Sequence, residues 1–148
     1  MECGECSLCC DIPKVKELKK PAWKLCSNYD IQCKNCKIYD KRPEECRNFE
    51  CSYYQMKKVN IAVRPDKCGV MFEMISPRIF LGTLHPDYEF SDIAKGQIDA
   101  FMKQGFSVVF SRKDEKLKFY MSLIHDKESI FNEFKKILEE NGSRSIYI

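Results

Sequence analysis

Ten cysteines stand in this chain, and nine of them fall within the first 51 residues. They form three groups. Cys3, Cys6, Cys9 and Cys10 make the run Cys-x-x-Cys-x-x-Cys-Cys, Cys26 precedes a Cys33-x-x-Cys36 pair, and Cys46 and Cys51 close the region. Two thiolates separated by two residues can grip one ion from a tight turn, whose backbone N–H groups stabilise the sulfur charge. A single such pair is a weak signal, but its repetition beside further cysteines is a strong one. The adjacent pair Cys9-Cys10 adds a constraint. Neighbouring side chains diverge, so these two suit different ions or different edges of one cluster.

Counting ligands extends the argument. A structural zinc ion takes four ligands, so eight or nine thiolates exceed one mononuclear site. They suit two four-coordinate ions, or two or three ions sharing bridging sulfurs. Eight thiolates carry a net charge of about −4 with two divalent ions and about −2 with three, and burying either needs nearby cations. Arg42, Arg47, Lys34 and Lys37 are the candidates. Thiolate donors point to zinc and/or iron. The spacing matches neither the bacterial nor the plant-type ferredoxin run, which favours a zinc or mixed-metal thiolate site over an ordinary [4Fe–4S] cluster and leaves inorganic sulfide open. The alternatives are an iron or iron–sulfur redox protein and a metal-stabilised protein-interaction module.

Other chemistry finds little support. There is no phosphate loop, dinucleotide fingerprint or Ser-His-Asp set, and no catalytic constellation; any activity would be redox. A cysteine engaged by metal is not a nucleophile. His85 and His125 each end an apolar segment with no second ligand nearby in sequence and read as structural or solvent-facing. Cys68 reads as a small buried hydrophobe.

Two stretches resemble a known family, the YkgJ-type zinc- or iron-chelating (CxxCxxCC) domains. Cys3, Cys6, Cys9 and Cys10 match its opening motif. The run from Cys36 through Ile38, Tyr39, Arg42, Pro43, Cys46, Arg47 and Phe49 to Cys51 is similar to its C-x-IY-x-x-RP-x-x-CR-x-F-x-C signature. Together they cover about one third of the chain. The resemblance implies metal ligation by Cys3, Cys6, Cys9, Cys10, Cys26, Cys36, Cys46 and Cys51, with Cys33 outside the pattern as an extra ligand or a substitute. It implies no defined reaction.

The net charge of +3 is too small for a nucleic-acid footprint, and the lysines alternate with glutamates. Nucleic acid is not expected as a partner; metal ions are, and an unidentified protein partner is open. No basic-then-apolar leader is visible and no stretch approaches a membrane span, so the expected compartment is the reducing cytosol. There, clustered thiols hold metal more often than disulfides, the alternative use of so many cysteines.

The elements that must carry these residues divide at about residue 57. Residues 1–57 are poor in aliphatics and bury too little to fold without metal or disulfides. Two helical turns over Lys14–Lys20, ended by Pro21, and a short helix from Pro43 are expected there. Trp23 and the Tyr53-Tyr54 pair are expected to cover the module's surface, with Ile38 and Tyr39 packed over the site.

Residues 58–148 carry strand patterns at Val59–Val63, Gly69–Ile75, Arg78–His85, Phe106–Arg112, Lys116–Ser122 and Ser143–Ile148. One helix runs from the Ser91 cap to about Gln104, with Ile93, Ala94, Ile98, Phe101 and Met102 inward and Gly105 as its stop. A second begins at Asp126, with Ile130, Phe131, Phe134, Ile137 and Leu138 inward. The fold class is α+β: an irregular cysteine-rich module packed on a mostly antiparallel sheet, with two helices on one face.

Overall fold

A computed structural model of the chain describes residues 5–56 and 60–141. Its centre is a four-stranded sheet in the order β3-β4-β5-β6, built from β3 (Val70–Ser76), β4 (Ile79–Leu84), β5 (Ser107–Arg112) and β6 (Lys118–Tyr120). The β3–β4 and β5–β6 pairs are antiparallel hairpins, and β4–β5 is parallel. A parallel pair needs a crossover, supplied here by helix α5 (Asp92–Lys103). Ser91 caps α5 by accepting from the Ala94 amide. The mixed α+β class and the mostly antiparallel sheet are as the residue patterns predict.

The helices do not share a face. Side chains alternate along a strand, and this sheet is apolar on both sides. Val70, Phe72, Phe80, Leu84, Val108 and Phe110 face α5, where they meet Ala94, Ile98 and Phe101. Ile79, Leu81 and Val109 face the other way and meet Ile130 and Phe134 of α6 (Lys127–Asn141). Reading only Val108 and Phe110 as inward overlooks Val109, which is fully buried on the second face. Each helix also turns one predicted core residue outward: Ile93 is 44% exposed and Phe131 is 53% exposed.

The cysteine-rich module packs on the second face at β3. It consists of short pieces: α1 (Leu8–Asp11), a two-stranded ribbon of β1 (Tyr29–Asp30) and β2 (Asn35–Cys36), α2 (Glu44–Arg47) and α3 (Ser52–Gln55), with a 3₁₀ turn at Tyr39–Lys41. A further 3₁₀ turn at Ile61–Val63 and α4 (Pro65–Cys68) then lead into β3 on the α5 side. Leu8, Ile12, Cys51 and Tyr53 pack with Met71 of β3, while Trp23 and Phe49 close the edge of this cluster. Met71 points opposite to Val70 and Phe72, so one strand serves α5 on one side and the module on the other.

Three local expectations differ. Lys14–Lys20 is a closed turn, in which Val15 and Lys20 exchange both backbone hydrogen bonds at 3.0 Å. A lone i,i+3 pair contributes only about 0.2–0.5 kcal/mol to a helix, and here the buried Lys20 ammonium holds the turn instead. Ile61–Val63 is a 3₁₀ turn rather than a strand, because the Asn60 side chain accepts from the Ala62 amide. Pro43 sits at the N-cap of α2, one position before its first turn. Val59 and the predicted strand Ser143–Ile148 lie outside the described residues. Among the described residues no helix is long and apolar enough to cross a membrane.

Candidate metal centre

Helix α1 sets the geometry. Leu8 and Ile12, one turn apart, are both buried and pin it to the core. At 100° per residue, Cys10 then points away from that core, and Cys9 lies about 100° from it. Cys9 is exposed and Cys10 half-buried. The Cys10 carbonyl accepts from the Cys26 amide at 3.0 Å, which places the second cysteine group beside the first.

The ribbon brings in Cys36. Its loop is shaped by Asp30, whose Oδ1 accepts from the amides of Gln32 and Cys33 at 2.9 and 3.0 Å, and by a left-handed Lys34. Cys36 pairs across from Tyr29 and is half-buried. Cys33 stays in the exposed loop. Cys46 enters from α2, whose first turn is tied to the Lys14–Lys20 turn where the Lys16 amide donates to Glu45.

Electrostatics show which thiols influence one another. Burial pushes the Cys46 thiol above its ordinary range, and the negative charge of Cys10, Cys26 and Cys36 pushes it further, against an opposing pull from Arg42. Cys10 moves the other way. A hydrogen bond from the Cys9 thiol holds it low despite burial, with help from Lys20 and Arg42. Cys10, Cys26, Cys36 and Cys46 therefore form one interacting group, with Cys9 at its edge.

Cys51 and Cys6 lie on the other side of α1, in the cluster around Leu8, Ile12 and Met71. The cation on that side is Arg64, which is within reach of Cys6 and makes a two-pronged ion pair with Asp66 at 2.5 and 2.8 Å. Ser52, beside Cys51, buries a hydroxyl with no hydrogen-bond partner among the described residues. Cys3 lies outside them.

The residues expected to surround the thiols divide similarly. Arg42 stacks on the Tyr39 ring, 3.6 Å from its centroid, and donates to the Tyr39 carbonyl. Tyr39 itself is exposed, so it carries Arg42 rather than covering the site. Arg47 is exposed and lines an open cleft with Glu17, Leu18 and Pro43. Tyr53 is buried and Tyr54 is exposed. Cys68 is buried, its thiol raised by burial and donated to the carbonyls of Val63 and Val70.

Two groups that the cysteine pattern could not reveal stand close by. Lys20 is only 6% exposed. His85, at the end of β4, is buried and bonded to Asp11, the residue after Cys10.

The donors are chemically uniform. The nine described cysteines are thiols, and sulfur donors of this kind suit zinc or iron. Among the described residues no group of three or more Cys, His, Asp or Glu side chains stands at coordination spacing. No protein-family model, curated protein or solved structure matches the chain.

Proposed function

We propose that the chain is a metal-binding protein that holds zinc and/or iron in a multinuclear cysteine-thiolate site. One observation carries this reading: the Cys26 amide donates to the Cys10 carbonyl at 3.0 Å, joining two separate cysteine segments, and the Cys46 thiol of a third is raised by the charge of both. Four thiols are the complement of one tetrahedral ion. Cys6 and Cys51 on the other side of α1, and Cys9 between the two groups, supply donors for a further ion, which accounts for the adjacent pair Cys9-Cys10. The likeness of the cysteine run to the CxxCxxCC domains supports the same reading. When bound, the ions would cross-link segments that share little apolar surface. The chain's own residues do the rest: Leu8 and Ile12 fix α1, and Arg42 offsets thiolate charge.

The test is elemental analysis with acid-labile sulfide and a visible spectrum, on protein purified without oxygen. Two or three equivalents of zinc or iron are expected. Iron with sulfide, or a colour that bleaches on reduction, would make the protein an iron–sulfur or redox carrier. Absence of stoichiometric metal would overturn the proposal.

A further inference from the structure

We propose that the groove between β6 and α6 is a docking site for the chain's own last residues, 143–148, taken up parallel to β6 along its free edge. The inference is independent of the metal-binding reading and concerns the opposite end of the sheet.

β6 is an edge strand: among the described residues it pairs with β5 alone. Such an edge presents a row of unpaired N–H and C=O groups, to which an extended segment can add. Beside it lies a groove of about 640 Å³, lined by the apolar Phe119, Met121 and Phe131 and by Asp126, Lys127 and Glu128. Phe131 leans from α6 toward β6, its ring centroid 5.9 Å from that of Phe119, and is still 53% exposed. A large apolar side chain aimed at an edge strand and left half open marks a surface built to be covered.

Three features select the occupant. The first is reach. Helix α6 ends at Asn141, and residues 142–148, seven in all, follow it. Phe131 lies ten positions back along the helix, about 15 Å at 1.5 Å per residue, whereas seven extended residues span about 23 Å. The second is pattern. Ile146 and Ile148 stand two apart, so an extended segment turns both to one side, where they match the apolar lining of the groove.

The third is handedness. β4 and β5 are parallel, and α5 crosses between them on one face of the sheet. β6 runs against both, and α6 lies on the other face. A half-turn about the line that crosses the strands reverses direction and face together. It carries β4, α5 and β5 onto β6, α6 and the outer edge of β6, with the hand of the crossover unchanged. Crossovers between parallel strands are right-handed in about 98% of cases, so the same rule that joins β4 to β5 directs the chain after α6 to that edge. Docked there, the segment covers Phe131 and denies the edge to a strand of another molecule.

The experiment is NMR of the full chain with labelled isoleucine methyl groups. Contacts of the Ile146 or Ile148 methyls with the rings of Phe119 and Phe131 are expected within one molecule. The double substitution Ile146→Ser with Ile148→Ser should speed hydrogen exchange about tenfold or more at the β6 amides that face away from β5, while those of β4 are unchanged. Absence of the methyl–ring contacts in the wild-type chain would overturn the proposal. So would contacts that join two molecules in a mixed-label sample, which would make the occupant a second copy. Wild-type exchange at β6 in the double variant would overturn it as well.

Discussion

Nε2 of His85 and Oδ2 of Asp11 lie 2.9 Å apart across 74 positions of sequence. The Asp87 amide donates to Nδ1 of the same ring at 3.2 Å, so the ring proton sits on Nε2 and points at the carboxylate. Asp11 is the last residue of α1, directly after Cys10, and His85 follows β4. This bond therefore fastens the thiol-bearing helix to the sheet. Replacing either partner by Ala is expected to cost about 1–2 kcal/mol, and the double variant should cost little more than one single variant. Urea unfolding of the four proteins measures the coupling. Strict additivity would show that the bond does not link the two parts.

The thiols should not be equivalent. Cys10→Ser, Cys26→Ser, Cys36→Ser and Cys46→Ser are each expected to lower bound metal by about one equivalent, because each removes a quarter of one ligand set. Cys33→Ser, in the exposed loop, should leave metal content unchanged. Metal analysis after desalting decides it, and a loss with Cys33→Ser would place that residue among the ligands.

Metal removal should act locally. The module's own apolar contacts are few, whereas the sheet is covered by α5 and α6. With a chelator, amides of residues 5–56 are expected to lose protection from hydrogen exchange while those of β3, β4 and β5 keep it. Uniform loss across the chain would contradict this.

The sheet has one position with no spare room. A methyl group at Gly82 would come within 2.6 Å of the Phe72 ring and 3.3 Å of the Phe110 ring. Gly82→Ala is expected to destabilise the protein by about 1–3 kcal/mol. A thermal or urea melt at unchanged metal content checks it.

One carboxylate gives a clear acid dependence. Burial would raise Glu133, but hydrogen bonds from Ser76 and Arg78, and the Arg78 charge, outweigh it and leave the carboxyl below its ordinary value. Arg78 sits in the β3–β4 turn and also donates to Ser129, so the pair pins α6 to the sheet. A depressed folded value means the stabilisation is present above the ordinary carboxyl range near 4.5 and disappears as pH falls through the lower folded value. Glu133→Gln should thus be less stable by about 1 kcal/mol at pH 7, given the partial exposure of Arg78, and equal to wild type near pH 2. Denaturation at the two pH values shows whether the gap closes.

Much of this was legible before any coordinates. The caps at Ser91 and Asp126 and the alternation in β5 follow local rules, and both helices and the hairpins stand where those rules put them. The placement of α6 on the opposite face was not legible from Val108 and Phe110, because Val109 between them serves the other side. Around the thiols, cysteine spacing names donors but not cations. Arg42 acts on Cys10 and Cys46 from its seat on Tyr39, while Arg47 lies exposed at the rim of the cleft that both arginines line. Lys20 had no motif to mark it. Its burial is made possible by three carbonyls that only the folded turn gathers.

The docking of α1 on Met71 has a consequence for how the protein is made. Leu8 and Ile12 leave the ribosome well before the strand that shelters them. At roughly 5–20 residues per second, the stretch from Cys10 to Met71 takes on the order of 3–12 s to emerge. Throughout that interval α1 has no sheet behind it, and the cysteines of its segment meet ions and oxidants alike before the helix can dock.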